Sequence, residues 1–222
     1  MHAELSAERT LWAQADRIGA GAADPLGVDG VKTTYVRNEE IYGEGEPGTF
    51  VYRVLSGVAR TYRILADGRR QISEFFLPGD VFGLEAGVDH SLSAEAVSDC
   101  VLVAIRRSHL AERANQDSAT AQKLWSLTLH HLGRSEEHML LLGRKNASER
   151  VAWFLLDMAK RIPAQGQVDL PMSRQDIADY LGLTIETVSR TMTQLQDDDL
   201  IALPTCRRVM LSNRMGLSHL AA

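Results

Sequence analysis

Cysteine is almost missing from this sequence. Cys100 and Cys206 are the only two among 222 residues, and they stand far apart. That spacing offers no CxxC metal clip, and two thiols alone hold neither an iron–sulfur cluster nor a four-cysteine zinc site. A structural disulfide is not expected in a reducing cytosol. Long apolar runs are missing as well, since no uncharged stretch approaches the roughly 18 residues that a bilayer span needs. The opening MHAELSAERTLWAQADR is polar and charged without an apolar core, so it reads as no signal peptide, and a cytoplasmic location follows by default. An excess of positive charge is the third absence. The formal net charge is −5, which counts against non-specific attachment to nucleic acid, because that depends on surplus cations. From Arg144 onward the chain is nearly neutral, with ten Lys and Arg against nine Asp and Glu. A DNA reader built there has to place few cations well, and dimerisation would double its contacts.

What is present is an ordinary globular composition, 45% apolar and 24% charged, in a length that suits two modest domains better than one. Residues 1–30 show no strong period and read as a partly helical, partly mobile arm. Residues 31–105 alternate short β-prone runs with turn residues. Examples are the runs around Phe50–Ser56, Tyr62–Ile64, Gln71–Phe76 and Cys100–Ile105. Asp67-Gly68 between two such runs is a hairpin signal. Many short strands with regular turns imply an antiparallel barrel or sandwich. From about Ser108 to Ile162 the period becomes helical. Trp125, Thr128, Leu132, Ser135, Met139 and Leu142 step by three and four residues, and Leu124, Leu127 and Leu141 widen the stripe. This long amphipathic helix has a seam that suits pairing with its own copy. Gly143 to Asn146 are expected to interrupt it, a second helix follows from Glu149 to Met158, and Pro163, Gly166 and Pro171 mark a loop.

The segment that carries the chemistry is SRQDIADYLGLTIETVSRTMTQLQDDDLIAL, residues 173–203. Ser173 is a good N-cap, and Asp176 in the first turn suits the helix dipole. Ile177, Ala178 and Leu181 form an apolar face, and Gly182 can adopt the left-handed conformation that ends a helix. Thr184 then caps a second helix with Val188, Met192 and Leu195 on its inner face. Two short helices joined through a glycine turn describe a helix-turn-helix. Ile185, Glu186, Ser189 and Arg190 lie on the outer face of the second helix, in the turns that such helices insert into the major groove. Arg190 can bond guanine O6 and N7 in bidentate fashion, Glu186 can accept from cytosine N4, and Ser189 and Ile185 can touch thymine methyls. After this helix, Ile201–Leu203 and Arg207–Leu211 read as the two strands of a wing, with Arg207 and Arg208 placed to meet phosphates. Asp197, Asp198 and Asp199 would repel phosphate, so that helix end is expected to point away from DNA.

In this order of elements, and in Glu186-Thr187-Val188-Ser189-Arg190, the chain resembles the CRP/FNR superfamily of bacterial regulators from about residue 31 onward. The Glu-x-x-Ser-Arg spacing resembles the FNR and FixK side and matches a FixK-like branch best. Cyclic-AMP readers of the superfamily instead carry Gly at the Ser189 position and Arg at the Ile185 position. The resemblance implies an α+β fold: an N-terminal antiparallel β-roll of the cyclic-nucleotide-binding type, a long dimerisation helix and a C-terminal winged helix-turn-helix. The corresponding boundaries are an arm at 1–30, a β-roll at 31–112, a dimerisation helix at 113–145 and a DNA-binding domain at 146–222. It implies a homodimeric activator that recognises TTGA-like half-sites in an inverted repeat and works with RNA polymerase. Arg174 and Gln175 match positions that touch DNA phosphates in the family, Thr187 joins them, and the Ser173 helix end faces the DNA backbone. Two departures narrow the inheritance. FNR-type sensors hold a cluster through cysteines mostly near the N-terminus, and residues 1–30 have none. Cyclic-nucleotide readers grip the phosphate with an Arg downstream of a Gly-Glu pair, whereas Gly83-Leu84-Glu85 is followed by Asp89-His90-Ser91-Leu92-Ser93-Ala94 without one. An anion in a partly buried pocket needs a cation. The reading is therefore a regulator with no cyclic nucleotide, cluster, metal or other cofactor.

Other residues invite chemistry that the pattern does not support. His131 and His138 are seven apart, a poor ligand pair within one helix, so these and His130 read as surface or seam residues. Cys100 lies in an apolar strand and reads as a buried inert thiol. Cys206, beside Arg207 and Arg208, is either an ordinary surface thiol or an oxidisable one. Two alternatives remain beside the effector-free regulator. One is a ligand-gated member of the same superfamily that senses a small molecule or haem in the β-roll. The other is a cupin-like enzyme, which would need a His/Glu metal cluster, and His90 is the sole histidine between residues 31 and 105.

Overall fold

The computed structural model describes residues 16–17, 26, 28–85, 87–162 and 167–222. The β-prone region forms β1 (Asp16–Arg17), β2 (Val31–Tyr35), β3 (Glu40–Tyr42), β4 (Phe50–Ser56), β5 (Ala59–Ile64), β6 (Arg70–Phe76), β7 (Val81–Phe82), β8 (Ser93–Ala96) and β9 (Cys100–Arg106). They make a five-stranded sheet in the order β1-β2-β9-β4-β7 and a four-stranded sheet in the order β3-β8-β5-β6. The strand period explains the layering. Phe50, Tyr52 and Val54 face the core that also takes Tyr42, Phe76, Phe82 and Leu102, while Val51 faces the opposite way with Val103 and Ile105. Strand β9 is covered on both faces, which is why its sequence is an unbroken apolar run rather than an alternation. Gly57 turns β4 into β5 at φ 80°, and a Cβ there would lie 2.2 Å from the Asp99 carbonyl. The position therefore requires glycine for both backbone and space. Most of the arm at residues 1–30 lies outside the described residues; within it, Asp16–Arg17 is a short strand paired with Val31 and Lys32.

The helical region opens with α1 (Arg107–Gln116). Asp117 breaks the chain before α2 (Ser118–Arg144), and its carboxylate accepts from the Ala119 amide at 3.1 Å and the Thr120 hydroxyl at 2.7 Å. The long helix thus starts at Ser118 rather than near residue 113, because an Asx cap restarts it. Its end also differs from the sequence reading. Gly143 and Arg144 stay helical, and only Lys145 and Asn146 separate it from α3 (Ala147–Arg161). Asn146 builds a reciprocal capping box with Glu149, a strong start signal that fixes the break. The broad stripe of α2 resolves into two faces. Leu124 and Leu127 pack against Val51, Val103 and Leu110, and Leu141 is buried. Trp125, Thr128, Leu132, Ser135 and Met139 are exposed on the single chain, with Leu142 half-buried.

The described chain divides into two compact units: residues up to Arg63 with Glu74–Gly133, and Ile64–Ser73 with Arg134–Ala222. The second contains β10 (Gln167–Asp169), α4 (Arg174–Leu181), α5 (Ile185–Asp197), β11 (Arg208–Met210) and α6 (Arg214–Ala221). Helix α3 supplies its centre with Val151, Phe154, Leu155 and Met158, and packs against α5 and α6. The wing departs from the sequence reading. The regular partner of β11 is β10, with Val168 opposite Val209, while of the segment Ile201–Leu203 only Ala202 bridges to Met210. Val168 and Val209 are both buried, so their pairing closes the core. Pro204, which lacks an amide donor, ends the ladder on the other side.

Candidate nucleic-acid interface

Helix α4 is fixed at both ends by its own sequence. Ser173 Oγ accepts from the Asp176 amide at 3.1 Å, and Asp176 Oδ2 accepts from the Ser173 amide at 2.9 Å. Gly182 closes the helix at φ 62°, a conformation that costs an L residue roughly 1 kcal/mol or more. Arg150 then ties the helix ends together. Its guanidinium donates to the carbonyls of Leu142, Lys145 and Leu181 at 2.8–2.9 Å, which satisfies acceptors that helix C-termini leave open. His138 stacks on Tyr180 with ring centroids 4.1 Å apart and donates from Nε2 to its carbonyl at 2.8 Å. Arg150 carried no signal in the sequence pattern, because it acts through carbonyls that only the fold brings near, and His138, which the sequence suggested as a surface or seam residue, is instead half-buried against Tyr180.

Helix α5 starts at the Thr184 cap, whose Oγ1 accepts from the Thr187 amide at 3.2 Å. Val188, Met192 and Leu195 are buried beneath it. Ile185, Glu186, Ser189 and Arg190 all lie on its exposed side, within its first two turns. The Glu186 carboxyl is held below its ordinary value by hydrogen bonding to its own amide and to Thr184, with Arg190 adding attraction, so it is an acceptor at neutral pH. The phosphate candidates are more varied. Gln175, Arg207 and Arg208 are exposed, and Ser173, Arg174 and Thr187 are half-buried. Arg174 Nη1 is buried and has no hydrogen-bond partner among the described residues. Arg208 differs from the free cation that the sequence suggests, since it donates to Asp169 from Nε at 2.7 Å. Cys206 is an exposed thiol next to these arginines, and Cys100 is buried, with its thiol pushed up by burial.

A helix-turn-helix with an exposed Glu-x-x-Ser-Arg face and a flanking wing has counterparts among known proteins. The model of the Crp-like helix-turn-helix domain matches residues 149–220, and that of the cyclic nucleotide-binding domain matches residues 32–117. The nitrogen fixation regulation protein FixK of Azorhizobium caulinodans is 51% identical over 196 residues, covering 86% of this chain and 79% of that protein. The chain belongs to the CRP/FNR superfamily, on its FixK-like branch. The structure of FixK2 from Bradyrhizobium japonicum aligns with a TM-score of 0.85 at 50% identity, covering 88% of this chain and 98% of that one. The transcriptional activatory protein AadR of Rhodopseudomonas palustris is 39% identical over 173 residues, 76% of this chain and 72% of its own.

As a member of this superfamily, the chain is a DNA-binding transcription regulator with a β domain of the cyclic-nucleotide-binding type and a C-terminal helix-turn-helix. Its relatives are regulators, not enzymes. Within the β domain, Glu85 is taken up by its own loop. It accepts from the Ser91 amide and lies 3.4 Å from His90 Nδ1. His90 is buried and stacks on Tyr42 at 3.6 Å. Tyr52 and Phe82 stack at 5.3 Å, and Phe82 and Phe76 at 4.8 Å. Among the described residues, no helix is long and apolar enough to cross a membrane, and no group of three His, Cys, Asp or Glu side chains could hold a metal ion.

Proposed function

We propose that this regulator is a homodimeric activator that binds an inverted repeat of TTGA-like half-sites without a bound effector. The observation that carries the reading is the exposed Glu186–Arg190 face at the start of α5. Two groups four residues apart on one helix face can address neighbouring base pairs, the arginine through guanine and the glutamate through cytosine. Ser189 and Ile185 complete the contact surface. Ser173, Arg174, Gln175, Thr187 and Arg207 supply the backbone contacts that set register. The partnerless Arg174 nitrogen supports an anion at that helix end, because a buried donor left unpaired costs roughly 1–3 kcal/mol. Arg208 joins them by exchanging Asp169 for a phosphate.

Dimerisation is supported by the exposed apolar row on α2. Trp125 is 66% exposed, Leu132 53% and Met139 65%, more contiguous apolar surface than a lone helix face carries without a partner. Trp125, Thr128, Leu132, Ser135, Met139 and Leu142 form the seam. Independence from an effector is supported by the rings of Tyr42, Tyr52, Phe76, Phe82 and His90, which fill the space between the two sheets, and by the lack of an arginine in residues 89–94. The activator role, with RNA polymerase as partner, is supported by relatives such as AadR that are named as activators.

The test is selection of bound sites from random duplexes with purified protein and no added ligand. Enrichment of a two-fold symmetric motif with TTGA-like arms is the expected result. Selection of a motif only after a small molecule is added would replace this reading with that of an effector-gated sensor.

A further inference from the structure

We propose that Arg70, at the start of β6, is a positioning residue for DNA binding: it clamps two carboxylates of α4 that in turn hold the groups facing the DNA backbone. The proposal rests on the DNA-binding reading above and deepens it. Arg70 Nη2 donates to Asp176 Oδ1 at 2.6 Å, and its Nε donates to Asp179 Oδ2 at 2.7 Å. The arginine side chain is 22% exposed and the two carboxylates 6% and 12%. Asp176 and Asp179 are three residues apart and therefore neighbours on one helix face. A planar guanidinium can span them, while a single lysine nitrogen cannot reproduce both directed bonds.

Each carboxylate divides its two oxygens between the clamp and the interface. The other oxygen of Asp176 accepts from the Ser173 amide at 2.9 Å, and the other oxygen of Asp179 accepts from Gln175 Nε2 at 2.6 Å. One guanidinium thus stands behind both the helix cap and the glutamine side chain. Neighbouring Gln71 donates from Nε2 to the Tyr180 carbonyl at 3.3 Å, so the hairpin holds the far end of α4 as well. The clamp also has an electrostatic role. Without Arg70, two carboxylates would lose its positive charge on the helix that is proposed to approach DNA phosphates, where repulsion lowers affinity. A groove of about 890 Å³ opens beside the clamp, lined by Arg70, Gln71, Gln175, Asp179, Glu186 and Thr187. The hairpin therefore borders the same space as the reading helix.

The experiment measures affinity for the motif that the wild-type full chain selects, over a range of salt, for Arg70→Met, Arg70→Lys and Arg70→Met combined with Asp179→Asn. Arg70→Met is expected to lose about tenfold in affinity, Arg70→Lys to remain below wild type, and the double variant to regain part of the loss because one of the two stranded charges is gone. The slope of log affinity against log salt should become shallower in Arg70→Met, since the stranded carboxylates repel phosphates most at low salt, and should return toward wild type in the double variant. A slope reduced by about 0.9 in Arg70→Met that Asp179→Asn does not restore would mean that Arg70 touches a phosphate itself, which overturns a positioning role. Undiminished affinity in Arg70→Met, whether or not its melting temperature falls, also overturns the proposal. Failure of the wild type to select any motif would instead overturn the DNA-binding reading on which it rests.

Discussion

Ser173 and Asp176 cap each other: each side chain accepts a hydrogen bond from the other's backbone amide, at 3.1 and 2.9 Å. The box uses one Ser173 lone pair and leaves the hydroxyl at a helix N-terminus where an anion is welcome. Ser173→Asp keeps a competent cap but adds a fixed negative charge where the DNA backbone is proposed to lie. The expected outcome is a melting temperature close to wild type and an affinity for operator DNA reduced about tenfold or more. Measuring both on one preparation decides the matter. Undiminished affinity in a normally melting variant would mean that this helix end does not face DNA.

Arg190→Ala should weaken specific binding by about 1–3 kcal/mol and relax preference at one guanine per half-site, since a bidentate contact is removed. Site selection with the variant reads this directly. An unchanged base preference would remove Arg190 from the reading set.

Leu132→Glu places a charge in the middle of the exposed row on α2. Burying unpaired carboxylates against a second copy is unfavourable by several kcal/mol, so the variant should be monomeric by light scattering and should lose binding to a two-half-site operator. A dimeric, DNA-binding Leu132→Glu protein would place the seam elsewhere.

Acid should destabilise the protein through two imidazoles, His90 buried and His131 half-buried. Burial holds His90 and His131 below the ordinary histidine value. Arg107 pushes His90 the same way while Glu85 and Glu46 oppose, and His130 pushes His131 the same way while Glu74, Asp80 and a hydrogen bond to the Val81 backbone oppose. As pH falls through about 6.5 the unfolded chain takes up these protons before the folded one does. Their contribution is therefore complete above that pH and is lost as pH drops from there toward the folded values. Melting temperatures should fall between about pH 7 and about pH 5, and less steeply in His90→Phe, which keeps a ring against Tyr42. An identical slope in that variant would assign the acid sensitivity to other groups.

The helix-turn-helix was the most legible part of the sequence, for a local reason. Ser173, Gly182 and Thr184 act on backbone groups within three or four residues, so their roles follow from spacing alone, and the inner row Val188, Met192 and Leu195 needs only the helical period. The hairpin at Asp67-Gly68 and the apolar run of β9 were readable in the same way. The sequence by itself therefore determined the class of fold, the two capped helices, which side of the second one is outward and the superfamily.

Tertiary structure alone decided the rest. The wing strand Gln167–Asp169 is too short to show a period, and it becomes a strand because Val168 meets Val209 across some forty residues. The stripe on α2 could not be divided by periodicity, since Leu124 and Trp125 are one residue apart and equally apolar; the sheet claims Leu124 and leaves Trp125 outside. Arg70 and Arg150 were invisible, and His138 was assigned to the surface or seam, because their partners lie from 5 to 109 residues away in the chain. Charge and hydrogen-bond complementarity at such separations is a property of the folded backbone, not of any window of sequence.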